Sequence, residues 1–177
     1  YARASAARNG LAIDYAVCDY VDLRAEHSAD MAILAYCDYG ALPEKSRGKL
    51  MRNVKGLLRL GGIFVLDVFS ARHYENAREL RSWDVASSGG LWTAEPHVCL
   101  HERKKYRNHV LLDRYIVQTS SRVKAYNIWT TCFGPESLAR EAANAGFTVI
   151  DITGSIAGDA FDPAGDTICV VLRGNEQ

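Results

Sequence analysis

The sequence predicts an α/β fold, and three features carry that expectation. A short apolar strand, Met31 to Ala35, is followed by a helical stretch and a second apolar strand, Ile63 to Val68. The same order returns in the last third, where Gly134-Pro135 opens a helix, Gly146 closes it, and strands follow from Phe147 to Ile152 and from Thr167 to Leu172. Between them, Trp83 to Cys132 has a different texture, dominated by β-prone runs. A strand, helix and strand in close succession make a right-handed parallel crossover. In open parallel sheets small molecules bind beyond the carboxyl ends of the strands, where the unusual run Tyr36-Cys37-Asp38-Tyr39-Gly40 falls.

Composition narrows the function classes. A chain of 177 residues, 48% of them hydrophobic, buries one sizeable core, so 1–177 reads as a single domain. Lys plus Arg number 21 and Asp plus Glu 21, a balance that gives no electrostatic footprint for nucleic acid or an anionic membrane. Cys18, Cys37, Cys99, Cys132 and Cys169 are odd in number and scattered without a C-x-x-C pair, which suits reduced thiols in a cytoplasmic protein. No apolar run reaches membrane-spanning length.

The elements follow in order. Tyr1 to Asn9 reads as a helix closed by Gly10, so the sequence is expected to open inside a fold. Ala12 to Cys18 alternates Ile13, Tyr15 and Val17 on one face, the pattern of a strand, and ends in Asp19-Tyr20. Polar residues Arg24 to Ser28 lead into Met31 to Ala35. From Pro43 to Leu60 the apolar positions Leu50, Met51, Val54, Leu57 and Leu58 lie on one face of a helix, with Pro43 suited to its first turn and Gly61 to its C-cap. In the middle segment three β runs, Val98 to Lys104, Val110 to Gln118 and Val123 to Thr131, are joined by short polar turns and read as an antiparallel meander spanning 83–132. Ser87-Ser88-Gly89-Gly90 is the expected mobile loop. Leu138, Ala142 and Ala145 line the inner face of the last helix.

These residues resemble the class I S-adenosylmethionine-dependent methyltransferases. The resemblance rests on a strand ending in Asp19-Tyr20 and on the strand, helix and strand from Tyr36-Cys37-Asp38-Tyr39-Gly40-Ala41-Leu42 through Leu60-Gly61-Gly62 to Ile63-Phe64-Val65-Leu66-Asp67. The tail adds Phe133-Gly134-Pro135-Glu136-Ser137-Leu138 and Ala145-Gly146-Phe147. The fold it implies is a Rossmann-like methyltransferase sheet, partial because the first two strands and the acidic glycine-rich loop are missing, with the antiparallel β-meander inserted over the acceptor side. It implies S-adenosyl-L-methionine as cofactor and methyl transfer to a small-molecule acceptor by the parent protein, this chain carrying the adenine and acceptor sides of the site. With the loop missing, the isolated chain is expected to bind the cofactor weakly or not at all. The alternative is a non-catalytic ligand-binding or dimerisation module, a remnant of such an enzyme.

Site residues follow from the same likeness. Asp19 and Tyr20 correspond to the adenine side, where a carboxylate accepts from an exocyclic amine and an aromatic ring covers a base. Ala35, Tyr36 and Cys37 correspond to the approach to the sulfonium. Asp38, Tyr39, Phe69, Tyr126 and Trp129 form the expected acceptor pocket. Methyl transfer is an in-line displacement governed by alignment, so the catalytic residue stays open, with Asp38 the candidate to orient or deprotonate an acceptor. Asp38 reads equally as a turn former or helix cap. His97, Cys99 and His101 alternate on one strand face, but no fourth metal ligand accompanies them, and they read as a polar strand face. The implied strand order, 3-2-1-4-5-7-6, leaves Met31 to Ala35 without its neighbour. That edge is expected to be covered either by Ala12 to Cys18 pairing with it directly or by a second copy in a two-fold homodimer.

Overall fold

The computed structural model describes residues 1–24 and 27–175. Its chain order is α1 (Ala2–Arg8), β1 (Ala29–Leu34), α2 (Asp38–Ala41), α3 (Glu44–Leu57), β2 (Leu58–Phe69), α4 (Ala71–Asn76), β3 (Leu80–Ala86), β4 (His97–Tyr106), β5 (Val110–Gln118), β6 (Val123–Thr131), α5 (Pro135–Asn144), β7 (Phe147–Thr153) and β8 (Thr167–Gly174). Two four-stranded sheets result, with orders β1-β2-β8-β7 and β3-β4-β5-β6.

In the first sheet β1 and β2 run parallel, while β8 lies between β2 and β7 and is antiparallel to both. This reproduces the 4-5-7-6 half of the order implied by the resemblance. The core lies on one face, because β2 alternates: Phe64, Leu66 and Val68 are buried, and the residues between them are not. Leu50, Met51 and Val54 of α3 and Leu138 and Ala142 of α5 close over that face, with Phe64 and Phe147 in ring contact at 6.0 Å. Burying each such side chain contributes about 1.5–3 kcal/mol.

Four expectations need correction. Ala12 to Cys18 forms no strand. Its alternation is real, but a strand needs a ladder partner, and this segment is tied down only locally, by the Arg3 guanidinium donating to the Tyr15 carbonyl at 2.7 Å. Its apolar side chains are therefore exposed, Val17 at 96%, and the direct pairing of Ala12 to Cys18 with the β1 edge does not occur.

The helix after Pro43 stops at Leu57, and Leu58 to Gly62 already belong to β2, so Gly61 is no C-cap. Instead Gly61 takes φ +74° where the β1–β2 register shifts between Ala29 and Met31, and a Cβ on Gly62 would lie 2.8 Å from the Arg59 carbonyl oxygen. The meander has four strands. β3 begins at Leu80, ahead of the expected boundary at Trp83, and pairs antiparallel with β4 from Leu80↔Arg103 to Ala86↔His97.

The third sequence feature also changes meaning. Cys99 and His97 are buried, and His101 Nε2 lies 2.6 Å from Asp113 Oδ1, which also accepts from Arg103 Nε at 2.8 Å. The expected polar face is turned inward: His97 and Cys99 are buried, and of the three only His101 joins the cluster around Asp113. Among the described residues no group of three or more His, Cys, Asp or Glu is placed to hold a metal ion. Among the described residues no helix is long and apolar enough to cross a membrane.

The meander returns to the first sheet at the carboxyl ends of β1 and β2. Phe133 N–H donates to the Phe69 carbonyl at 2.9 Å and Ala71 N–H to the Phe133 carbonyl at 2.8 Å, making a bridge between Ser70 and Phe133. At the same end Gly40 of α2 lies so close to the Thr131 carbonyl that an added Cβ would stand 2.5 Å from its oxygen.

Candidate functional site

The residues that follow β1 are held in an unusual conformation. Tyr36 and Cys37 both adopt left-handed backbone, φ 68° and 59°, before α2 begins at Asp38. Paired residues of this kind form the centre of tight turns that normally use Asn-Gly or Gly-Gly, because a Cβ is disfavoured there. Cys37 N–H donates to Asp67 Oδ1 of β2 at 2.8 Å, and its carbonyl accepts from Gly40 N–H at 3.1 Å. Cys37 is thereby turned inward and buried, while the Tyr36 ring is 92% exposed. Burial pushes the Cys37 thiol up to about 12, with Asp67, Cys132 and Asp38 adding to the rise, so it stays protonated and is no nucleophile.

Asp19 and Tyr20 come to the same end of the sheet. Asp19 Oδ1 accepts from Val21 N–H at 2.9 Å, a local turn that uses one carboxylate oxygen. The Tyr20 hydroxyl is raised, first by partial burial and then by Asp38 and Asp19, which places that ring beside both carboxylates. The segment is anchored on α3 by the Asn53 side-chain amide donating to the Val21 carbonyl at 2.8 Å and by an ion pair between Lys49 and Asp22. Ala35 to Asp38 follow β1 directly and Tyr20 lies within the electrostatic reach of Asp38, although the segment bearing Asp19 is not a strand.

The residues expected to line an acceptor pocket do not act together. A cavity of about 1080 Å³ opens between α2, the start of α3, α5 and β6. Trp129 stands in its wall, with its ring 5.3 Å from Tyr106. Tyr39 is fully buried instead, its hydroxyl donating to Glu141 at 2.6 Å, and burial together with that carboxylate holds the phenol protonated. Phe69 stacks on His73 at 4.3 Å. Tyr126 stacks on Trp92 at 4.9 Å, toward the far end of the meander and outside the cavity wall. Gly40 lines the cavity and its N–H donates to the Cys37 carbonyl at 3.1 Å, so cavity and strained turn adjoin.

The structure adds three polar pairings to the residues marked by the sequence. Arg47, buried on α3, makes a two-pronged ion pair with Glu141 of α5, at 2.9 and 2.7 Å, and donates to the Leu42 carbonyl at 2.8 Å. Its signal was its place three and four residues before Leu50 and Met51, a charge on the apolar stripe. Asp67 was legible as the one acid in the apolar run from Ile63 to Val68. The pairing of His101 with Asp113 follows only from cross-strand register.

No protein-family model matches the sequence, and no curated protein matches it. Solved structures do. The chain is similar to an S-adenosylmethionine-dependent methyltransferase from Clostridium acetobutylicum ATCC 824, at 12% identity and TM-score 0.71 over 99% of this chain. It is also similar to the CcbJ methyltransferase of Streptomyces caelestis, at 16% identity and TM-score 0.66 over 90% of the chain. A third likeness is to the sugar N-methyltransferase KedS8 of Streptoalloteichus sp ATCC 53650, at 18% identity and TM-score 0.60 over 98%. The chain spans 70%, 63% and 67% of those three proteins' lengths. At such identities the likeness is one of fold: the chain has a methyltransferase-like Rossmann fold.

Proposed function

We propose that this chain carries the adenine and acceptor sides of an S-adenosyl-L-methionine-dependent methyltransferase site, with a small-molecule acceptor bound in the cavity walled by Trp129. The reading rests chiefly on the cavity adjoining the Tyr36–Cys37 turn through Gly40, which stands in the cavity wall and donates its N–H to the Cys37 carbonyl, so that in this reading donor and acceptor spaces meet at the carboxyl end of β1. The three solved structures named above are methyltransferases, one of them a sugar N-methyltransferase, which favours the same donor and a small acceptor.

The donor set suits the cofactor. Among the described residues only Oδ1 of Asp19 has a hydrogen-bond partner, which leaves Oδ2 for an adenine amine, and Tyr20 and the exposed Tyr36 offer ring faces. Asp19 and Asp38 bring negative charge to this end of a chain with no net charge, which complements a sulfonium cation. When bound, the cofactor supplies an electrophilic methyl group. The chain's own part is to hold the acceptor in line with it, with Trp129 packing on the acceptor; Asp38, expected in the acceptor pocket, stands two residues before Gly40 and outside the cavity wall, and is the carboxylate assigned to receive a proton from an N–H or O–H nucleophile. Two-fold association through β1 belongs to the same reading. The competing reading, a non-catalytic binding or dimerisation module, is favoured by the open β1 edge and is separated by ligand binding.

Titration of the ¹⁵N-labelled chain with S-adenosylhomocysteine tests the donor side at millimolar concentrations, where weak binding still registers. The expected shifts fall on Asp19, Tyr20 and residues 35–38, and Asp19→Ala weakens them about tenfold, the worth of one charge-assisted hydrogen bond. Shifts that avoid these residues would sink the cofactor assignment and favour the remnant.

A further inference from the structure

Two successive left-handed residues bearing side chains persist only where their neighbours over-determine them. At Tyr36–Cys37 the neighbour is Asp67. It stands on β2 one residue beyond Leu66, which pairs with Leu34 of β1, and its Oδ1 accepts the Cys37 N–H at 2.8 Å. Among the described residues Asp67 makes no ion pair. A carboxylate near the end of an apolar strand is thus committed to one backbone amide of the turn, and the turn in turn leaves the Tyr36 ring in solvent.

We propose that Asp67 is the positioning residue of the donor side: its carboxylate locks the Tyr36–Cys37 turn in the left-handed form that presents Tyr36 and the start of α2 to the ligand. This rests on the donor-site reading above, but it concerns a residue that reading leaves without a role toward the turn. Asp67 touches no reacting atom and acts through the Cys37 amide. Its action needs an acceptor oxygen at the Oδ1 position and not a negative charge, so Asn replaces it and Ala does not.

The test compares the ¹⁵N-labelled full chain with its Asp67→Ala and Asp67→Asn variants by amide exchange and by titration with S-adenosylhomocysteine. In Asp67→Ala the Cys37 amide is expected to exchange at least about tenfold faster, and the ligand-induced shifts at 35–38 to vanish while those at Asp19 and Tyr20 persist. In Asp67→Asn both are expected to stay near wild type, a rescue that a general loss of stability would not produce. Unchanged Cys37 exchange in Asp67→Ala overturns the proposal, as does faster exchange with undiminished shifts at 35–38. Wild-type chain that shows no ligand shifts overturns the donor-site reading instead, and is distinguishable because Cys37 exchange still responds to Asp67. If Asp67→Ala does not fold, Tyr36→Gly and Tyr36→Gly/Asp67→Ala, in which the strain is relieved, carry the same comparison.

Discussion

Cys37 shows how one residue's surroundings set its chemistry. The left-handed turn costs about 1–3 kcal/mol per residue and is retained at the site end of the sheet, where it turns the thiol inward. The folded thiol is pushed up to about 12 at Cys37 and about 11 at Cys132, both by burial first, against an ordinary value of 9.0. The unfolded chain therefore releases these protons near pH 9, whereas the folded chain holds them. Their contribution to stability is complete below about pH 9 and is lost as pH rises through 11 and 12. The urea midpoint is accordingly expected to fall steadily between pH 9 and 11. At pH 8 a thiol reagent should label only the exposed Cys18 quickly, the other four cysteines being buried. Fast labelling of Cys37 in the folded chain would contradict this account. None of this was legible in the sequence, because the sign of φ at Tyr36 and Cys37 comes from the neighbouring strand.

At the scale of elements, local pattern succeeded where a partner was at hand and failed where it was not. β5 and β6 match the expected runs to the residue, since each is rich in β-branched and aromatic residues and has a neighbour one short turn away. Ala12 to Cys18 alternates equally well and stays irregular for lack of a ladder, while β3 was hidden because Arg81 and Asp84 break up an edge strand. The joints between elements are polar and were invisible for that reason. Arg47 of α3, Glu141 of α5 and the Tyr39 hydroxyl of α2 meet in one network, with the guanidinium also 5.2 Å from the Phe133 ring. Glu141→Ala leaves the buried Arg47 uncompensated and is expected to cost about 3 kcal/mol. The double change Arg47→Met with Glu141→Leu removes both charges and is expected to lie within about 1 kcal/mol of wild type. Chemical denaturation of the three proteins measures this; a double variant as unstable as Glu141→Ala would show that the network does more than satisfy its own charges.

At the scale of the whole molecule the sheet is asymmetric. One face carries α3 and α5, and β7 closes one end of the strand order, but β1 at the other end offers the row of backbone groups from Ala29 to Leu34 to no strand among the described residues. Its outward side chains are apolar, Met31 54% and Ile33 58% exposed, and no Lys or Pro guards it; the single charge, Asp30, is paired with Arg59 at 2.7 Å. An unguarded apolar edge recruits another strand, and a second copy meeting it about a two-fold axis would set Met31 and Ile33 of each chain against the other. Sedimentation velocity is therefore expected to show self-association that grows with concentration. Ile33→Lys adds a charge to a side chain already in water, so it should shift the chain toward monomer while leaving its thermal midpoint nearly unchanged. Wild-type protein that sediments as a monomer at every concentration would mean that β1 tolerates its open edge, and association would then be removed from the proposed function while the cofactor and acceptor assignments stood on their own tests.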